Sequence, residues 1–267
     1  MARHDRQHPA SSLEYLLTEN IPMAITAQSI IRRATDLLQD QTSVRWTLQE
    51  LVRWLNDAQR AIVKVRPDSM NTTVTMSLSA GSRQDLDSTT ANEAGNAALA
   101  PAPAKLIDIT RNMASTSTKD VVTKVEKKIM DAIRGWHSVT PSVNILHYIF
   151  DAKDPKTFYV YPPATSLAKL EVMYSAYPTD IAAPAAGAVL PSDNQYDNTS
   201  NDTGKVVLGN LSVPDIYADD VLNILLAKCY MKDSEFAGNA ERASAYLSMA
   251  QKSLGDEIAA TIAVQPK

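Results

Sequence analysis

Between residues 44 and 68, apolar side chains recur with the period of a helix. Leu48, Leu51, Val52, Leu55, Ala58 and Ile62 fall on one face, and charged or amide side chains fill the other. Both ends of this helix are written into the chain. Thr47 and Glu50 have capping-box spacing, in which the hydroxyl accepts from the Glu50 amide while the carboxylate reaches back to the Thr47 amide. Trp46 precedes the cap and can staple onto Leu51. Pro67 ends the run because it has no amide proton and drives Arg66 out of the helical region. The pattern predicts about six turns with one buried face. Each large aliphatic buried there contributes roughly 1.5 to 3 kcal/mol, so packing by Leu51 and Leu55 outweighs the cap at about 1 kcal/mol.

A second amphipathic stretch comes first. In residues 27 to 40, Ile30, Ile31, Ala34, Leu37 and Leu38 share a helical face, and the short polar link Asp40-Gln41-Thr42-Ser43 predicts an antiparallel hairpin. A matching pair closes the chain. After Ser212-Val213-Pro214-Asp215, which suits a first turn, Val221, Leu222, Leu225, Leu226 and Cys229 form one stripe. This helix fades near Gly238, and Asn239 is the expected cap of the next, whose stripe is Ala243, Tyr246, Leu247, Ala250, Leu254 and Ile258. The tail from Thr261 to Lys267 is expected to hold no conformation alone, although its apolar residues suit a docked tail.

Between the pairs the period changes. Val74, Met76 and Leu78 alternate with Thr75, Ser77 and Ser79, predicting a half-buried strand that Ala80-Gly81 ends. Further strands are expected at residues 105–110, 147–151, 157–161 and 168–177, with Leu170, Val172 and Tyr174 on one side of the last. In residues 121–134, Val125, Ile129 and Ile133 fit a short helix, while Val121-Val122 fits strand entry. The predicted fold class is α+β: an antiparallel helical bundle built from the amino- and carboxy-terminal helix pairs, with an inserted, mostly antiparallel β unit.

Residues 87–104 and 178–213 are rich in Ala, Ser, Thr, Asn, Asp and Pro and carry too few apolar side chains to offset an ordering cost of about 1 to 2 kcal/mol per residue. Loops of this length in a compact protein usually have a task, so they read as extended loops or contact arms. The organisation expected is an amino-terminal arm (1–24), a helical body (25–68), the β unit (69–177), a long loop or arm (178–213), the second helical pair (214–260) and a tail (261–267).

Composition narrows the function classes. The 267 residues are 45% hydrophobic, enough for a core, and the net charge of −4 argues against wrapping nucleic acid with the whole surface. No apolar run approaches the roughly 20 residues that span a bilayer, and Met1-Ala2-Arg3-His4-Asp5-Arg6 leads into no signal-peptide core, so no membrane partner and cytoplasmic synthesis are expected. Cys229 is the only cysteine and sits on an apolar face, which favours packing over reactivity.

The chemistry-bearing residues form no strong constellation. There is no Gly-rich phosphate loop, His-Glu-x-x-His or cysteine cluster. His4 and His8 have metal-like spacing without further ligands, and His137 and His147 accompany no nucleophile motif. Glu50 with Asp57, or Asp219 with Asp220, are carboxylate pairs on helices read as solvated, without the enclosure that splits pKa values. Trp46, Trp54 and Trp136 are far apart and act as anchors rather than a stacking platform. No cofactor, metal or catalytic residue is assigned. One local feature stands out: Arg53, Arg60 and Lys64 form a basic stripe on the polar side of the long helix, with Glu50 and Asp57 three residues before the arginines. Ion pairs along a solvated face explain it, as does an interface with an acidic partner.

Several strings together resemble a known family. Val44-Arg45-Trp46-Thr47, Glu50-Leu51, Trp54-Leu55-Asn56-Asp57-Ala58-Gln59 and Arg66-Pro67-Asp68 are similar to the amino-terminal helix of head-to-tail adaptor (connector) proteins of tailed bacteriophages. The likeness continues in order through Ala80-Gly81-Ser82-Arg83-Gln84-Asp85-Leu86, then Leu106-Ile107-Asp108-Ile109-Thr110-Arg111-Asn112, and then Trp136-His137-Ser138. It ends at Phe150-Asp151 and Asp154-Pro155-Lys156-Thr157-Phe158-Tyr159-Val160-Tyr161-Pro162-Pro163. It covers roughly residues 25–177 and, more loosely, the final helices; residues 1–24 and 87–104 depart from it.

The resemblance implies a structural virion protein at the capsid–tail junction, not an enzyme. Its implied form is a ring of identical subunits, commonly twelve, docked under the portal protein and carrying the tail tube or nozzle protein, with genomic DNA passing through unbound. By the same analogy the segment after about Glu257, including Ile258, Ile262 and Val264, reaches toward the portal, and the β unit or its loops toward the tail. Two other classes stay open: a nucleic-acid-binding helical module that sets Arg53, Arg60 and Lys64 on phosphates, and a cell-wall hydrolase that uses a carboxylate pair.

Overall fold

The computed structural model describes residues 25–87, 99–188, 190 and 208–264, and of residues 260–264 the backbone alone. Five helices and seven strands occur among the described residues, making the protein α+β. His4, His8, the amino-terminal arm and the end of the tail lie outside them.

Helix α1 (Ala27–Leu38) starts at Thr26, whose hydroxyl accepts from the Ser29 amide at 3.1 Å, and ends where Gln39 turns left-handed at φ 55°. Ala27, Ile30, Ile31 and Ala34 are buried, whereas Leu37, expected on the same face, stands in the last turn and is 52% exposed. The link that follows wraps around one carboxylate. Asp40 accepts from the amides of Val44, Arg45 and Trp46 at 2.9 to 3.0 Å. Burial opposes its charge, but the three amides outweigh burial and hold its pKa below the ordinary value.

Helix α2 (Leu48–Val65) begins with the predicted box: the Glu50 amide donates to the Thr47 hydroxyl at 3.4 Å, and the Thr47 amide donates to the Glu50 carboxylate at 3.2 Å. Its 18 residues make five turns rather than six, because Arg66 leaves the helical region before Pro67. The predicted face is buried throughout, and Trp46 is 5% exposed with its indole donating to the Cys229 carbonyl at 3.2 Å. Arg66 is buried too, its guanidinium on the Asp68 carboxylate at 2.7 and 3.1 Å.

Helix α4 (Ala218–Lys232), entered through a single 3-10 turn at Asp215–Tyr217, is the centre of the helical core. Beyond the predicted stripe it also buries Ile224, Ala227 and Tyr230, so it is apolar nearly all round, as befits a helix enclosed by others. Side chains of α1, α2, α4 and α5 (Asn239–Val264) join in one cluster. Two expectations about α5 change. Asn239 does not cap the helix; its amide donates to the Asp233 carbonyl at 3.1 Å, and the left-handed Gly238 (φ 84°) turns the chain instead. The helical backbone also runs through Val264, past the expected limit near Ala260.

The strands form two sheets. β1 (Asn71–Ser77), β7 (Lys169–Ala176) and β3 (Pro103–Asn112) make one in the order β1-β7-β3, all antiparallel. β2 (Gly81–Asp85), β6 (Thr157–Ala164), β5 (His147–Phe150) and β4 (Thr123–Lys124) make the other, antiparallel except for the parallel β4–β5 pair. Met76, Ile109, Val172 and Tyr174 from one sheet meet Phe158 and Val160 from the other in a second core.

β1 ends before Ala80-Gly81, as expected, and Gly81 also opens the next strand. The chain changes sheet there, at φ 114°, and the buried Gln84 closes the corner through the Ser79 amide and carbonyl at 2.8 Å each. Residues 121–134 split between both readings: Thr123–Lys124 is strand and only Lys127–Asp131 (α3) is helix. That helix faces opposite to the predicted stripe. Met130 packs with Trp136 and Ile149, while Ile129 and Ile133 are exposed, because β4 alongside β5 fixes how α3 can turn.

Leu55→Ala should lower the unfolding free energy by about 2 to 5 kcal/mol and Thr47→Ala by about 1 kcal/mol. Urea titration measures both, and equal losses would contradict the dominance of packing over capping in α2.

Candidate interface site

The polar side of α2 carries three distinct sets of contacts. Toward α4, Glu50 meets Lys232 at 2.9 Å and Asp57 meets Lys228 at 3.1 Å. Moving forward along α2 thus moves backward along α4, and the two helices run antiparallel. The Lys232 hydrogen bond holds the Glu50 pKa below the ordinary value against partial burial, helped by Thr47. The spacing on α2 assigned these acids to Arg53 and Arg60; only Asp57 also reaches Arg60, at 3.4 Å. Each acid is paired with a lysine of α4.

The second set anchors the long loop. The Asn56 side chain donates to the Ile181 carbonyl at 2.9 Å and accepts from the Ile181 amide at 3.0 Å, and Gln49 donates to the Pro184 carbonyl at 2.8 Å. Gln59, fully buried, accepts from the Ser212 amide at 2.7 Å, and the Ser212 hydroxyl donates to the Thr179 carbonyl. Residues 179–184 and Ser212 therefore lie along α2 in defined positions. Sequence reasoning passed over Asn56 and Gln59 because an amide on a helix looks solvated until its loop partner is known.

The third set is the basic stripe. Arg53, Arg60 and Lys64 are all exposed, but the structure divides them. Arg60 and Lys64 line a cleft of about 370 Å³, together with Lys105 of β3, Ser175 of β7, Tyr177 and Pro178. Arg53 does not line it. Arg60 is also ion-paired with Asp180, whereas among the described residues Lys64, Lys105 and Arg53 have no ion-pair partner. Lys156 stands over the Tyr177 ring, 5.7 Å from its centroid.

At the far end of α2, the Arg66 guanidinium lies 3.6 Å from Glu257 of α5, and the Tyr217 hydroxyl donates to the same carboxylate at 3.0 Å. Burial, reinforced by Glu257, pushes the Tyr217 pKa up to about 12. Ile258, half-buried, follows this tether directly. The side chains of Ile262 and Val264 lie outside the described residues.

The other candidate groups are placed as follows. Asp219 is exposed and pairs with Arg33 at 2.7 Å, but Asp220 is buried, correcting the expectation of two solvated acids. Burial raises its pKa, with the neighbouring charges of Asp219 and Glu257 acting the same way and Ser253 opposing them. Cys229 is fully buried, and burial pushes its thiol up to about 12, which leaves little thiolate at neutral pH. The Ser82 hydroxyl and His137 Nδ1 are 2.8 Å apart, a contact no spacing foretold. His137, itself exposed, stacks on the buried Trp136, and no described carboxylate hydrogen-bonds it, so the geometry is that of a histidine packed over the edge of a small core. His147 pairs with Thr123 at 2.6 Å. Among the described residues no group of three or more His, Cys, Asp and Glu could hold a metal, and no helix is long and apolar enough to cross a membrane.

The model of the SU10 adaptor protein family matches residues 25–265. The chain belongs to the SU10 adaptor protein family. A search of curated proteins finds no match. The matched span takes in every described helix and strand of this SU10 adaptor, so both cores and the loop anchors on α2 fall within the family's domain. Membership makes it a phage adaptor and virion component, consistent with the head-to-tail resemblance, and implies a structural, non-enzymatic role.

Asp220→Asn should stabilise the adaptor at pH 7. Because the folded pKa of Asp220 lies above its unfolded value, the native carboxyl is most favourable when protonated. The stability it lends is present below the unfolded pKa, near 4, and is lost as pH rises through the folded pKa. Urea titrations should therefore show the advantage of the variant at pH 7 shrinking as pH falls toward about 4. An advantage that does not change with pH would contradict this account.

Proposed function

We propose that this SU10 adaptor assembles as a ring of identical subunits, commonly twelve in this class, beneath the portal protein of a tailed phage. There it joins capsid to tail and lets genomic DNA pass without specific binding. The observation that carries the reading is the family match over residues 25–265, nine-tenths of the chain. In this reading the helices form an antiparallel bundle that is the rigid body of each subunit, and the β unit is an insertion that faces the tail tube or nozzle protein.

The carboxy-terminal end of α5 is the portal contact, through Ile258, Ile262 and Val264. Two features support that role. Glu257 is tied to the body through Arg66 and Tyr217, and the apolar residues begin immediately after it, so a firmly held helix would carry a sticky end. A module that grips DNA through Arg53, Arg60 and Lys64 is less well supported, because Arg60 is already paired with Asp57 and Asp180. The net charge of −4 also suits a channel wall that does not hold DNA.

Mixing the purified protein with purified portal should produce a ring visible by electron microscopy; persistent failure to co-assemble would refute the reading. Removing residues 258–267 should leave the circular dichroism spectrum and melting temperature nearly unchanged while abolishing portal attachment. Normal attachment of the shortened chain would overturn the assignment of Ile258, Ile262 and Val264.

A further inference from the structure

The cleft lined by Arg60, Lys64 and Lys105 has the features of a peptide-docking site. Its volume of about 370 Å³ lies within the range of cavities that hold ligands, roughly 300 to 1,000 Å³. Val63, Pro67, Tyr177 and Pro178 give it an apolar lining, and three cations stand around that lining with no acid among the residues that form it. Two of the cations, Lys64 and Lys105, are exposed and have no ion-pair partner among the described residues. Ser175, also lining the cleft, is fully buried, and its Oγ has no hydrogen-bond partner among the described residues. A buried hydroxyl is normally satisfied, so this wall holds an unmet polar group beside an apolar, cationic surface.

The matching chemistry is a short segment that brings aliphatic side chains and carboxylates together. The chain itself contains one. Leu13-Glu14-Tyr15-Leu16-Leu17-Thr18-Glu19-Asn20-Ile21 carries two carboxylates, no cation and four aliphatic side chains. Residues 191–204 are also acidic, through Asp193, Asp197 and Asp202, but offer Tyr196 as their one large apolar side chain, so they would meet the cations and leave the apolar lining uncovered.

We propose that this cleft receives the Leu13–Ile21 segment of a second copy of the chain, with its leucines on Val63, Pro67 and Tyr177 and its glutamates opposite Lys64 and Lys105. The second copy rests on the self-associating adaptor reading; the peptide chemistry rests on the cleft alone. The contact would be of the kind in which apolar anchors supply the affinity and surrounding charges select the partner.

The test is fluorescence anisotropy of a labelled synthetic peptide of residues 12–22 titrated with the full-length protein, which requires neither a ring nor a portal. Saturable binding is expected. It should weaken at least about tenfold when Lys64 and Lys105 are both changed to Glu, and similarly when Glu14 and Glu19 of the peptide become Gln. Both lysines are exposed, so the variant should keep its circular dichroism spectrum. Arg53→Glu, outside the cleft, should leave binding unchanged and controls for overall charge. Absence of binding would overturn the proposal, as would binding indifferent to Lys64 and Lys105 or equal binding of a peptide with the same residues in scrambled order. The titration is run at protein concentrations where light scattering shows a monomer, so that no second copy occupies the cleft; a monomer whose cleft is filled by its own segment would refuse the peptide and so would also overturn assignment to a second copy. None of these outcomes depends on whether the protein attaches to a portal.

Discussion

The structure depends on the enclosure of α4. Val221, Leu225, Leu226 and Cys229 are almost wholly buried, and Ile224, Ala227 and Tyr230 close the remaining sides. A helix with buried apolar side chains on most of its sides needs neighbours to cover it, and here the covers come from both ends of the chain: α1 and α2 from the first 65 residues and α5 from the last. The two ends meet in one cluster, and the strands between residues 71 and 176 share a second one. Helices α2 and α5 thus share one hydrophobic cluster with α4.

Polar side chains then fix how the covers sit. Glu50–Lys232 and Asp57–Lys228 set α2 against α4, Arg66 and Tyr217 meet at Glu257 of α5, and Asn56 and Gln59 hold Ile181 and Ser212 against α2. The surface ion pairs contribute little individually, typically below about 1 kcal/mol, and act mainly on alignment. The bonds made by Gln59 matter more, because losing a partner inside leaves a buried amide unsatisfied at a cost of about 1 to 3 kcal/mol.

Local rules made α2 legible. Its cap, its stop and all of its apolar face but Val63 follow from spacing, as do the alternating strands β1 and β7. Three kinds of feature were hidden. Short polar strands such as Gly81–Asp85 and Thr123–Lys124 carry no hydrophobic alternation and exist because a neighbour in the sheet accepts them. The facing of α3 is set by the β4–β5 pairing, which turned Ile129 outward and Met130 inward. Asn56, Gln59 and Asp220 sit at positions where polarity suggests solvent, yet they are buried by contacts with residues far away in the chain. Of the stripe Arg53, Arg60 and Lys64, spacing identified the surface but not its division, because Lys105 and Tyr177 reach the cleft through the sheet.

The family is that of a phage adaptor, and a structural role of this kind suits an architecture in which separate hydrophobic clusters support the helices and the sheets. The most direct measurement of that claim is molar mass by light scattering, for the 29.1 kDa chain alone and with purified portal. A portal-bound species heavier than the portal by several copies of the chain, close to twelve, is the predicted result. A portal peak of unchanged mass eluting beside free chain would contradict the account.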